Sequence, residues 1–264
     1  MASVAGMPLA PAVGDEQFFA RAAMVMTAVI VAGFWLQLAA GRSSFSSPPL
    51  VHAHALVFMG WVFIYLFQNI FVAGDRMALH RRLGWIAAGW MVPMLVLGCM
   101  VTLAVVRRGQ VPFFFRPLQF LILDPVTLFA FAGLTTAAIL LRRRTQWHRR
   151  LHFCGMSILL GPAVGRLLPM PLLQPWAWES TFAVILIFPI VGVLADIRRE
   201  GQAHPAWRWG IGAMIAALLL TEAITYSPVG QAIYVGTTKG SPGASVAPLQ
   251  FAPPPTDGKI TGRT

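Results

Sequence analysis

Charged residues are scarce in this chain: they make up 11% of its 264 residues, against about 25% in a soluble domain. With 57% hydrophobic residues and a mean hydropathy of +0.68, that shortage excludes an ordinary water-facing surface. Cysteine is almost missing. Cys99 and Cys154 are the only two, both inside apolar runs, so no disulfide framework or cysteine metal site can be read. Each reads as a small buried hydrophobe. Walker, G-x-G-x-x-G and G-x-S-x-G motifs are absent, so phosphate cradles, dinucleotide fingerprints and the serine elbow have no support. The N-terminus lacks the basic region of a signal peptide and carries Asp15 and Glu16 instead. Its first apolar run is also long for a signal, so it is expected to be a retained helix.

What the chain has is long apolar runs. Seven spans are read, over 18–40, 50–73, 83–106, 117–141, 151–168, 180–196 and 207–226, each near the roughly 20 residues that cross a bilayer core. The fold class is therefore an all-α membrane bundle of about seven helices. The organisation expected is an N-terminal segment over 1–17, a transmembrane domain over 18–227, and a disordered Gly/Pro-rich tail over 228–264. Arginine is uneven between the connections. Arg76, Arg81, Arg82, then Arg142, Arg143, Arg144, Arg149 and Arg150, then Arg198, Arg199 and Arg208 fall on one side; Arg42, Arg107, Arg108 and Arg116 fall on the other. The positive-inside rule makes the richer side cytoplasmic, with the N-terminus inside. The net charge of +11 then reflects orientation in a bacterial cytoplasmic membrane, and nucleic acid is not a partner.

The tetrapeptide His-Arg-Arg-Leu occurs twice, from His80 and from His148, each time opening a span that runs outward. Span, motif, span repeats with the same sense, which is the pattern of a parallel repeat. Each copy sets an imidazole and two guanidiniums at a helix N-terminus, where free N–H groups and the helix dipole attract anions. Three readings follow. His80, Arg81, Arg82, His148, Arg149 and Arg150 hold anionic lipid or phosphate at the inner face; or the two clusters converge on one anionic ligand; or His80 with His148 or His152 ligates a b-type haem, since that needs two imidazoles from different helices. The first reading involves no cofactor.

A second constellation lies at the outer level. "VHAHALVFMGWVFIYLFQ" follows Pro48-Pro49, a helix start. His52 and His54 are about 200° apart on a helix. His54 shares its face with Phe58, Trp61, Tyr65 and Gln68, so it is the one expected to point inward. Arg116, Gln119, Asp124, Arg166 and Glu222 reach the same level from other spans, and ionisable groups within spans are functional candidates by default. Asp124-Pro125 also reads as a helix start, which makes 111–123 a re-entrant piece in one alternative. No tight metal motif is present, and two arginines oppose a bound cation, so no metal is expected. Gly161-Pro-Ala-Val-Gly165 offers either a close helix approach or a proline kink.

The H-x-H helix start, L-H-R-R-L-G and the second H-R-R-L before G-P-A-V-G-R resemble, over roughly residues 50–170, an uncharacterised family of bacterial multi-pass membrane proteins. That resemblance implies membrane residence and carries no activity. The only lysines are Lys239 and Lys259, so the last span lacks the lysine that a retinal Schiff base needs. The reading is a membrane protein that binds or moves a small anionic ligand in an outer-facing pocket of His54, Arg116, Gln119, Asp124, Arg166 and Glu222. A haem-binding redox protein and an accessory subunit of a membrane complex are the alternatives, and no residue is assigned a catalytic role.

Overall fold

The computed structural model describes residues 14–43 and 45–254. Among them the chain is all-helical: α1 (Asp15–Ala39), α2 (Pro49–Ala73), α3 (Met77–Arg107), α4 (Pro117–Leu140), α5 (Thr145–Ile158), α6 (Gly161–Leu167), α7 (Ala177–Glu200), α8 (Ala206–Thr225) and α9 (Pro228–Thr238). Six of these, α1 to α4, α7 and α8, are long and apolar enough to cross a membrane. Their outward faces are apolar: Trp35, Leu56, Trp85, Leu140 and Leu219 are all more than 60% exposed. Polar groups such as Arg150, Asp196 and Asp15 are instead fully buried. That inversion is what a lipid surrounding demands.

Local chemistry sets the ends. Asp15 and Glu16 occupy the first turn of α1, where the helix dipole favours anions. Prolines sit at the first turns of α2, α4, α6 and α9, where the missing N–H costs nothing. Gly201 closes α7 with φ +73, a left-handed cap that favours glycine. The fifth apolar run is split. α5 and α6 are separated by Leu159 and Leu160, and Pro162 sits in the first turn of α6, where it has no N–H to continue the ladder. The close approach offered by the Gly161–Gly165 stretch is realised at Ala163: a Cβ on Gly33 of α1 would lie 2.6 Å from the Ala163 carbonyl oxygen.

α4 runs unbroken through Asp124 and Pro125, so the re-entrant alternative is not what forms. Thr127 Oγ1 donates to the carbonyls of Leu123 (2.8 Å) and Asp124 (3.1 Å), tying the turn that carries Pro125. The expectation of disorder from residue 228 is also corrected over the described residues. Ser227 caps α9, its Oγ accepting from Gly230 N at 3.1 Å. Tyr234 is buried, its hydroxyl 3.2 Å from the carbonyls of both Gly243 and Val246. The strand of chain that follows returns to α4, where Leu118 N donates to Pro248 O at 2.9 Å. A polar, Gly/Pro-rich composition hid a capping serine, an N1 proline and one anchoring tyrosine. Residues 255–264 of that expected tail, like 1–13, lie outside the described residues.

α1, α2, α3, α4 and the α5–α6 pair form a ring in which each packs on the next and α6 closes back on α1; α8 packs against α4 and α5, and α7 against α5, α6 and α8. At the arginine-rich end an ion-pair network joins four elements. Arg150 grips Asp196 with two bonds, Nε to Oδ2 and Nη2 to Oδ1, each 2.7 Å. Trp207 Nε1 donates to the same Oδ2 at 2.7 Å. Arg199 reaches Asp196 at 3.2 Å and Asp15 at 3.0 Å, and Arg149 pairs with Asp15. The guanidiniums lie over rings, Arg199 4.9 Å from Phe18 and Arg149 5.4 Å from Phe19, which adds cation–π attraction. Gly192 makes room: a Cβ there would run into the Trp207 ring.

Two predictions follow from this network. Asp196→Ala removes the closest partner of the buried Arg150 charge and leaves it only the longer contacts to Glu200 (3.6 Å) and Asp15 (3.8 Å), which should cost up to about 3–5 kcal/mol, read as a large fall in unfolding temperature in detergent. A change within about 0.5 kcal/mol, the size of an ordinary surface substitution, would mean that the network carries no stability. His204, in the α7–α8 connection, accepts at Nδ1 from Ala206 N (3.1 Å) and packs edge-on against Trp147. Burial, then the Arg150 charge, hold its pKa below the usual histidine value. The unfolded chain therefore binds the proton first, so stability falls as pH drops from about 6.5 toward the lowered folded value. His204→Gln should flatten the pH dependence of stability in that window, and an unchanged slope would contradict it.

Candidate functional site

Three histidines gather near the arginine-rich end, inside the helix ring. His80 stands in the first turn of α3, and His148 and His152 stand one turn apart on α5. The His80 and His148 ring centres are 6.2 Å apart with planes at 86°, and those of His148 and His152 are 4.9 Å apart at 85°. All three are half-buried. His148 Nδ1 donates to Ala138 O of α4 at 2.8 Å, so its Nε2 keeps a free lone pair. His80 Nδ1 lies 2.5 Å from the side-chain amide of Gln68 on α2. With its nitrogen turned toward the ring, that amide also donates to His80 O (3.0 Å), and its oxygen accepts from Gly84 N (2.8 Å). The two histidines thus share one arrangement, a ring nitrogen held from the preceding long helix. Each is steadied by the helix before it.

The arginines of the two motifs behave differently. Arg81 and Arg82 are exposed, with Arg76, Arg142, Arg143, Arg144, Arg198 and Arg208 at the same end. Arg149 and Arg150 turn into the ion-pair network, and Arg150 has no exposed surface. Their charges are answered by Asp15 and Asp196 within the protein, so of the doubled motif only Arg81 and Arg82 remain exposed.

At the other end the six expected pocket residues fall into two groups by their contacts. In the first, Asp124 accepts from Thr102 Oγ1 at 3.0 Å, and Arg166 lies close enough to Asp124 and His54 for its charge to act on both. Arg166 bonds to Pro162 O (2.7 Å) and lies 4.2 Å over the Phe34 ring, while Gln37 holds its backbone carbonyl at 3.0 Å. His54 stacks on Phe58 with centres 4.1 Å apart. His52 instead is exposed and bonds to Phe45 O at 3.1 Å, so the two histidines part company. In the second group the buried Gln119 donates to Glu222 at 3.0 Å, and Arg116 lies between the rings of Tyr226 (5.8 Å) and Phe251 (4.6 Å). Glu179 of α7, unmarked by any motif, is near enough to Glu222 and Arg116 to feel both charges.

Charge counting bears on the ligand. The first group balances one arginine against one aspartate, and the second sets one arginine against two glutamates. Neither carries the net positive charge that draws an anion. Among the described residues, no three His, Cys, Asp or Glu side chains are placed to hold one metal ion. Glu222→Ala would leave the Gln119 amide buried without an acceptor and should cost about 1–3 kcal/mol. Glu222→Gln, which keeps an acceptor oxygen, should retain most of it. Equal losses of unfolding temperature in the two variants would show that charge, not this hydrogen bond, is what matters.

Compared with known proteins, the chain matches no family model, no curated protein and no solved structure.

Proposed function

We propose that the chain is a multi-pass protein of the bacterial cytoplasmic membrane that binds one b-type haem between α3 and α5, where His80 and His148 are the residues that would hold its iron. Read together, α5 and α6 would give a seventh crossing over 145–167, and the exposed arginines support a cytoplasmic position for the N-terminal end of α1.

The observation that carries the reading is the His80–His148 pair. A metal–imidazole bond is about 2 Å long, so two imidazoles on opposite faces of one iron have ring centres roughly 6 Å apart. The pair stands at 6.2 Å, from two different helices, without a third ligand. A haem needs only those two side chains. The bond from His148 Nδ1 to Ala138 O fixes the ring and raises the basicity of Nε2. For His80, the Gln68 amide at Nδ1 would hold the orientation of the ring, leaving Nε2 as the atom that would face the iron. Gln68 is thus a positioning residue. Bound iron would supply one-electron redox chemistry. The residues of this chain supply two ligands, their orientation and a water-poor surrounding. The far end offers no second pair of histidines on separate helices among the described residues, which supports one haem and not a two-haem path across the membrane.

The anionic-ligand reading has less support, because the two arginines of the expected pocket, Arg166 and Arg116, each already have a carboxylate nearby. The test is the visible spectrum of protein purified in mild detergent from haem-sufficient cells, oxidised and then reduced with dithionite. A Soret band with sharpened α and β bands on reduction is expected. His80→Ala and His148→Ala should abolish it, Gln68→Leu should weaken retention, and Arg166→Ala should leave it intact. Colourless wild-type protein, or colour untouched by loss of either histidine, would overturn the assignment.

A further inference from the structure

α9 is too short to cross a membrane: its 11 residues span about 16 Å, where a bilayer core is about 30 Å. It is nevertheless apolar on the side it shows. At about 100° per residue, Gly230, Tyr234 and Thr238 form the buried arc, packed toward α3, α4 and α8. The opposite arc holds Val235, Pro228, Ala232, Gly236, Val229 and Ile233, all exposed, with Val229 and Val235 above 60%. No charged residue occurs from 223 to 238, and Lys239 follows at once.

We infer that α9 is a membrane-surface helix, its Val229–Ile233 arc sunk in the headgroup and acyl boundary of the leaflet at the arginine-poor end. Three observations name lipid as the occupant. Only Tyr226 and Ser227 separate α9 from the membrane-crossing α8, so the helix starts at the level of the boundary. Its apolar arc continues the outward surface of α8, where Leu219, Leu220 and Tyr226 are half or more exposed. Trp176 and Leu172, from the connection before α7 at the same end, are 64% and 84% exposed, which is where an interfacial aromatic belt belongs. A helix with one arc on protein and one in lipid buries apolar area on both sides, and that favours lying in the interface plane. The helix also holds the segment after it in place. Arg107 Nη1 donates to Thr237 O at 2.6 Å, and the chain beyond α9 covers the start of α4 with Phe251 over Arg116.

The inference rests on the membrane-spanning reading of α8 and is independent of haem. Single cysteines at Val229, Ile233 and Lys239, with one at Leu219 of α8 as a reference, would be introduced into a Cys99→Ala chain; Cys154 is buried and stays. Each is spin-labelled in phosphatidylethanolamine/phosphatidylglycerol vesicles, and its collisions with oxygen and with a water-soluble nickel chelate are compared. Oxygen is expected to dominate at Val229, Ile233 and Leu219, and nickel at Lys239. Nickel dominance at Val229 and Ile233 with oxygen still dominant at Leu219 overturns the inference and puts α9 in water. Protection of those two from both reagents also overturns it and points to a second copy or another protein covering the arc. Nickel dominance at Leu219 too would overturn the membrane reading beneath it. Ala232→Cys, on the same arc, is the second reporter if either larger side chain proves essential to folding.

Discussion

A charge within an apolar surrounding must be paired, and the Arg150–Asp196 pair is where this chain meets that demand most completely. Its two 2.7 Å bonds are joined by a third from Trp207 to the same carboxylate. Arg149, Arg199 and Asp15 extend the network, so that the start of α1, the start of α5, the end of α7 and the start of α8 meet at one level. Replacing such a cluster with hydrophobic residues is often tolerated, while removing a single member is not. What the pair contributes is therefore registry more than net energy. With the start of α5 fixed at Arg149 and Arg150, His148 is aimed into the ring beside His80, and His152 follows one turn on.

Much of the architecture was legible from hydropathy alone, because a bilayer imposes one length and one composition on every crossing. The doubled His-Arg-Arg-Leu pointed to His80 and His148 as equivalent, and the two stand 6.2 Å apart. The identical letters concealed different fates for the arginines, since pairing depends on Asp15 and Asp196. Those acids lie far off in sequence and look like ordinary helix-end charges. Of the outer constellation, Gln119 and Glu222 do meet. The division into two groups could not be read, because periodicity gives the face of a helix but not its neighbour. Glu179 was missed for the same reason, and α9 because composition outweighed the cap signal at Ser227.

The two ends of the molecule solve the charge problem in opposite ways. At one end, some arginines are exposed while the buried ones are matched by aspartates. At the other, few charges remain, and aromatic rings do much of the work. Phe34 lies over Arg166, Phe251 and Tyr226 flank Arg116, and Phe58 stacks on His54. A guanidinium loses little of its favourable surroundings against a ring face.

The ion-pair network also has an order in time. Its members emerge during synthesis at residues 15, 149–150 and 196–199, and domains form as their parts become available. α1 enters the membrane with Asp15 unanswered until α5 is made, and Arg150 waits in turn for the end of α7. Through most of synthesis, then, the first helix is held at its boundary by its own polar end alone, free to shift in depth. The arrival of Arg149, and then of Arg199, is what fixes where the first crossing begins.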